Sequence, residues 1–215
     1  DNDAFLDSFA FDGNRWNSSS NLFFHGFSQH SRLSSVGLSL AYDSLPAVNS
    51  SGNAILAWIT KSYSVISTER ADGDVDTESV DTYQLMARRQ QAGSAPQNDD
   101  IILSKRISTN GSRIDIKNRK VFINDTGDII VTWMENFYSL RLTRLKARRF
   151  LGGSWGPEIT LGEAPYYSIR EESQGESISK ENTVFMNSSG NAIAMWLEHP
   201  YDTGSTMRIM ERRFE

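Results

Sequence analysis

Apolar positions along this chain come in short runs separated by turns of Gly, Asn, Asp and Ser, and no segment shows a sustained 3.6-residue stripe bounded by helix caps. The runs Val121 to Ile123 and Val184 to Met186 lead into Thr126-Gly127-Asp128 and Ser189-Gly190-Asn191, hairpin signatures in which glycine supplies the positive φ. The runs that follow, Ile129 to Met134 and Ala192 to Leu197, are apolar at odd and even positions alike, the mark of a strand covered on both sides. Ala54, Ala57, Ala192 and Ala194 let neighbouring layers approach closely. A third run around Arg144 to Phe150 turns at Gly152-Gly153 into a fourth, Trp155 to Leu161. The pattern predicts an all-β chain built from units of four antiparallel strands, a to d in order.

The unit recurs. NSSGNAILAW (Asn49 to Trp58), NDTGDIIVTW (Asn124 to Trp133) and NSSGNAIAMW (Asn187 to Trp196) share one turn and one strand, with glycines 75 and 63 residues apart. Each is followed by a second shared element: Ala87-Arg88-Arg89, Ala147-Arg148-Arg149-Phe150 and Glu211-Arg212-Arg213-Phe214. Phe11, Gly13, Trp16 and Leu22 repeat the spacing of the c-to-d stretch that runs from Phe150 through Trp155 to Leu161. The expected organisation is a single repeat domain over 1–215: a c–d pair in 1–22, a unit in 46–103 with an acidic insertion at 69–81, a unit in 120–161 and an incomplete unit in 182–215. Four-stranded sheets apolar on both faces must stack on copies of themselves, and radial stacking of that kind is the β-propeller, with a β-sandwich of repeated hairpins as the alternative. About three units fall short of the roughly 4 to 8 blades of a closed ring. The chain is therefore expected to be part of a longer protein, an open array, or one member of a ring in which the Trp16 to Leu22 strand completes a neighbour's last unit.

Repeats of the form N-x-x-G-N-A-I-x-x-W, then A-R-R-F, then G-G-x-W-G-P, are similar to those of bacterial secreted or surface β-propeller proteins. The resemblance covers most of the chain and implies a propeller fold and a place outside the cytoplasm. The turn Asn124-Asp125-Thr126-Gly127 also resembles part of the Asp-box of sialidase-type propellers, although its aromatic stands six residues past Gly and Asp125 is Ser in the other two copies.

Strand alternation puts the a-to-b and c-to-d turns at one end of each unit and the b-to-c and d-to-a connections at the other. The first set is tight. The second is expected to be long: Phe23 to Leu45, Ile59 to Tyr83, Ser104 to Arg119, Glu135 to Arg141, Gly162 to Glu181 and Leu197 to Thr206. Long loops gathered on one rim are where such folds bind. The candidate ligand contacts there are Phe137, Tyr138, Tyr166, Tyr167, His199 and Tyr201, stacking on sugar faces; the competing reading is that these rings anchor their own loops. Trp58, Trp133 and Trp196 read as core, and the Arg-Arg pairs as a structural feature, because adjacent strand residues point to opposite faces.

Composition narrows the chemistry. With 22 Lys plus Arg against 27 Asp plus Glu, the net charge is -5, so there is no basic excess for a nucleic-acid partner. The absence of cysteine removes disulfides, thiolate catalysis and Cys-based metal sites. His25, His30 and His199 match no metal-pair spacing. No apolar run reaches the roughly 20 residues of a membrane-spanning helix, and the chain opens at Asp1 without Met or a signal-like segment, so it is expected to be processed, trimmed or partial. Asp72, Asp74 and Asp76 alternate as in calcium loops, but Thr77 stands where such loops need Gly, so a solvated acidic hairpin is favoured over Ca2+ binding. The expected function is a non-enzymatic extracellular, periplasmic or cell-surface module that binds a glycan or protein or serves as a structural subunit, with self-association as a further option. The alternative is a glycoside-acting enzyme of sialidase-like type, which needs an acid/base carboxylate and a nucleophile facing a central cavity.

Overall fold

The computed structural model describes residues 9–11, 16–18, 39–70, 72–94, 100–109, 112–165, 178–198 and 208–215. They form fourteen strands and no helix: β1 (Phe9–Phe11), β2 (Trp16–Ser18), β3 (Ser39–Val48), β4 (Ala54–Glu69), β5 (Val75–Gln90), β6 (Ile101–Thr109), β7 (Ile114–Ile123), β8 (Ile129–Phe137), β9 (Leu142–Leu151), β10 (Ser154–Trp155), β11 (Ile159–Pro165), β12 (Ile178–Met186), β13 (Ala192–Glu198) and β14 (Arg208–Phe214). Every pairing is antiparallel. The sheets are β3-β4-β5-β6, β7-β8-β9 with β10 and β11 both on β9, β12-β13-β14, and the hairpin β1-β2. None closes on itself. The hairpin β1-β2 pairs Phe11 with Trp16, as β9 and β10 pair Phe150 with Trp155.

Successive sheets stack face to face, and β8 shows why Ile129 to Met134 is apolar at odd and even positions alike. Ile129, Val131 and Trp133 pack with Ile55 and Ile59 of β4, Leu85 of β5 and Leu103 of β6. The intervening Ile130 and Met134 pack toward the other side, with Val184, Ala192 and Ala194 in one cluster and Trp196 in another. Thr132, the one polar residue among them, is buried and donates to Asn182 Oδ1 of β12 at 2.9 Å. Fully burying a Val or Ile side chain contributes about 1.5–3 kcal/mol, so this central strand ties two interfaces together.

Two further devices join the sheets, and both come from the repeated motifs. In each a-to-b turn the asparagine closes the turn on itself: its Oδ1 accepts the backbone N–H of Asn53, Asp128 or Asn191, four residues on. Its Nδ2 reaches forward. Asn49 donates to the main-chain oxygen of Asn124 at 2.7 Å, and Asn124 to that of Asn187 at 2.8 Å, a ladder across the three turns. Gly52, Gly127 and Gly190 take φ of 78°, 88° and 82°, the left-handed region these turns require. The arginine pairs point in opposite directions, as adjacent strand residues must. Arg148 donates back to the carbonyl oxygens of Ile102 and Leu103, and Arg212 back to that of Thr160. In the first two pairs the second arginine points forward: Arg89 lies over the Phe150 ring at 3.6 Å and Arg149 over Phe214 at 5.3 Å.

The long connections are shorter than the sequence suggests. Ile59 to Tyr83 is not a loop, because β4 and β5 stay paired out to Glu69 and Val75, forming an arm that projects beyond the ends of β3 and β6. Alternating Ser, Tyr, Val, Ile and Thr suit an exposed two-stranded ribbon, so the pairing continues past the buried part of the sheet. Only 110–113 separate β6 from β7, and 138–141 separate β8 from β9. Polar residues mark where the strands leave the core, not where they end.

Candidate functional site

The face of β4 that carries Ile55 and Ile59 into the core carries Lys61 and Tyr63 further along, two and four residues beyond Ile59. Register sets their neighbours: Tyr63 lies opposite Asp81, and Asp81 opposite Ser108. On the facing sheet the residues just ahead of β7 bring up Ser112 and Arg113, and β7 itself brings up Asp115. Where the two sheets part, these residues with Ser79 and Tyr83 line a cleft of about 320 Å³ at the end of the molecule opposite the asparagine ladder.

Its charges are internally paired. Lys61 Nζ lies 2.9 Å from Asp81 Oδ2 and 5.0 Å from the centre of the Tyr83 ring. Its bond to the Tyr83 hydroxyl, opposed by partial burial and helped by Asp81, holds the ammonium above its ordinary value. Arg113 Nη2 lies 3.0 Å from Asp115 Oδ2, and that bond raises the guanidinium above its own ordinary value. One cation and one carboxylate stand on each wall. Tyr83 is buried, whereas Tyr63 is 43 % exposed at the mouth.

Phe137 and Tyr138 do not line this cleft. Phe137 ends β8, packs against the core and carries the Arg144 guanidinium over its ring at 5.1 Å. Tyr138 stacks under Arg113 at 4.6 Å and donates its hydroxyl to Asp115 Oδ2 at 2.7 Å, so it braces the wall from behind. Tyr166, Tyr167, His199 and Tyr201 lie outside the described residues. The sequence reading passed over Tyr63, although a signal was present: Tyr63, Tyr138 and Tyr201 each stand five residues past the repeated tryptophan. Asp72, Asp74 and Asp76 sit at the tip of the β4–β5 arm, where Asp72 accepts the N–H of Asp74 and Asp76 pairs with Arg70 at 2.5 Å. Among the described residues no group of three acidic or histidine side chains is placed to hold a metal ion, and no helix is long and apolar enough to cross a membrane.

A second cluster of carboxylates lies inside the seam between the sheets. Glu135, completely buried, accepts from Trp133 Nε1 at 2.9 Å, Ser104 Oγ at 3.1 Å and Arg106 Nε at 3.0 Å. Arg106 also reaches Glu158, which Lys146 approaches at 3.1 Å. The Trp-x-Glu bond recurs between Trp196 and Glu198 at 2.9 Å. A carboxylate that is buried and saturated with donors anchors structure, not proton transfer to a ligand.

No protein-family model matches the chain, and no curated protein matches it. Among solved structures, the endo-arabinase from Bacteroides thetaiotaomicron VPI-5482 is similar over 93% of this chain and 82% of its own, at 10% identity and a TM-score of 0.34. At that similarity nothing about activity carries over.

Proposed function

We propose that this chain is a run of β-propeller-type units forming a non-enzymatic, extracellular or cell-surface binding module, and that the cleft between its first two stacked sheets takes a neutral carbohydrate. The propeller arrangement is supported by antiparallel meanders of three and four strands, repeated in sequence and stacked on both faces of the middle sheet. The location follows the resemblance to secreted repeat proteins. The observation that carries the ligand class is an exposed Tyr63 ring at the mouth of a cleft in which each carboxylate already has a cation within 3.0 Å. Sugar recognition needs an aromatic face for the ring's C–H edge and planar acceptors and donors for its hydroxyl pairs. Asp81, Asp115, Lys61, Arg113 and the serines supply the second requirement without a net charge that would select an acid. A glycosidase needs one carboxyl held protonated by apolar surroundings, and neither aspartate has such surroundings.

Calorimetric titration with neutral oligosaccharides, sialylated oligosaccharides and uronate oligomers tests this reading. Binding is expected with a neutral member of the set and should weaken about tenfold in Tyr63→Ala with the circular dichroism spectrum unchanged. Turnover of any fluorogenic glycoside would replace the binding reading with an enzymatic one. A silent titration across all three classes would remove carbohydrate from the proposal.

A further inference from the structure

Beyond the Ser64–Val80 rung the β4–β5 arm buries no side chain among the described residues, yet its strands stay paired out to Glu69 and Val75. A two-stranded ribbon is marginal in water by itself, so this extension adds nothing to the fold that an earlier turn would not supply. Strand alternation sorts its side chains between two faces. One face carries the wall of the cleft outward without a break: Lys61 with Tyr83, Tyr63 with Asp81, Val65 with Ser79, then Ser67 with Thr77. Tyr63 and Ser79 line the cleft itself, Val65 is 43 % exposed, and Ser67 and Thr77 are exposed. The acids stand elsewhere. Glu78 and Asp76 lie on the opposite face, beside Ile66 and Thr68, and past Asp81 the next charge on the cleft-side face is Glu69, at the far end of the strand. An arm rich in carboxylates thus turns hydroxyls and a valine toward the cleft, with the Tyr63 ring at its foot. From Tyr63 to Ser67 that face runs about 13 Å, more than one sugar ring. Tyr83, packed in the core with Ile59 and Leu85, closes the inner end, so the wall continues outward, along the strands.

We infer that cleft and arm form one elongated site that takes the end of a linear, neutral oligosaccharide, with its terminal ring between the two walls and the following rings laid along Tyr63, Val65, Ser67 and Thr77. This rests on the carbohydrate reading of the cleft and adds to it a direction and a preference for a chain over a single sugar. Ser67, Thr77 and Ser79 each offer a hydroxyl that both donates and accepts, which matches sugar hydroxyls. Val65 meets the C–H edge of a ring, and no carboxylate on these rungs selects a charged chain.

Calorimetry with cello-, xylo- and malto-oligosaccharides, from disaccharide to hexasaccharide, tests the inference. In the series that binds, affinity should rise about tenfold with length and then level off. Replacing 67–77 by Asn-Gly joins the paired Ile66 and Glu78 through a two-residue turn. That variant should keep its β-sheet dichroism and its disaccharide affinity and lose the gain with length. Ser67→Ala with Thr77→Ala should weaken only the longer ligands, about fivefold, whereas Thr68→Ala with Asp76→Ala, on the opposite face, should weaken none. A long polymer of the same series should take up protein in proportion to its chain ends. No heat with any series would remove the carbohydrate reading and this inference with it. Equal affinity of the wild type for disaccharide and hexasaccharide would leave that reading standing and overturn this one, as would a gain with length that survives loss of the arm, or uptake in proportion to polymer mass.

Discussion

At the scale of single residues, the seam between the first two large sheets is held by a charged cluster with no share in the cleft. Burial alone would raise the Glu158 carboxyl, but its bonds to Arg106, and then to Lys146 and Ser104, outweigh burial and leave it below its ordinary value of 4.5. A carboxyl whose folded value lies below its unfolded one stabilises the fold above the unfolded pKa, and that stabilisation disappears as pH falls through the folded value. Glu158→Gln should therefore melt below wild type at neutral pH. The gap should narrow steadily once pH drops under about 4.5 and vanish in stronger acid. Thermal melts of both proteins across that range check it; a gap independent of pH would mean the side chain acts through packing and not through its charge.

At the scale of elements, the a-to-b turn does two jobs with one side chain, and the three copies separate them. Asn124 closes its own turn and also donates to Asn187; Asn187 closes its turn with no forward acceptor among the described residues. Asn124→Ala should cost more than Asn187→Ala by the worth of one hydrogen bond, about 1 kcal/mol, in urea melts. Equal costs would mean that the ladder bond contributes nothing beyond turn closure. These turns are legible in the sequence because glycine at positive φ and asparagine five residues before the returning strand leave a composition signature. The both-sided burial of β8 was legible for a similar reason, since no half-exposed strand tolerates six apolar or uncharged residues in succession. Strand ends were not. Lys61, Tyr63 and Asp81 look like loop residues, yet they sit in continuous ladder beyond the core, because backbone pairing does not stop where apolar side chains do. The cleft is not legible for that reason: polar composition predicts rim loops where the chain forms paired strands, and it places Tyr63 inside a connection.

At the scale of the whole molecule, the middle sheet decides how the others unfold. In a stacked repeat, stability is close to a sum of unit and interface terms, and the interfaces supply the cooperativity. Ile130 and Val131 are neighbours on β8, both completely buried, and they serve opposite interfaces. Truncating either to alanine removes buried methyl groups and leaves a cavity, at a cost of about 2–5 kcal/mol for Ile130 and somewhat less for Val131. If the sheets were independent bodies, Ile130→Ala would release β12-β13-β14 in a separate early step and leave the β3–β6 contact untouched. The shared strand argues otherwise. Losing the β12–β14 cover exposes Ile130, Met134 and Ala147, and it breaks the Thr132–Asn182 bond of the strand whose other edge positions hold Ile55 and Leu103. Both variants should therefore shift a single transition to lower urea, with tryptophan emission and far-ultraviolet dichroism coincident. Two resolved transitions in Ile130→Ala but one in Val131→Ala would show that the last sheet is held as an appendage and that the cooperative unit ends at β11.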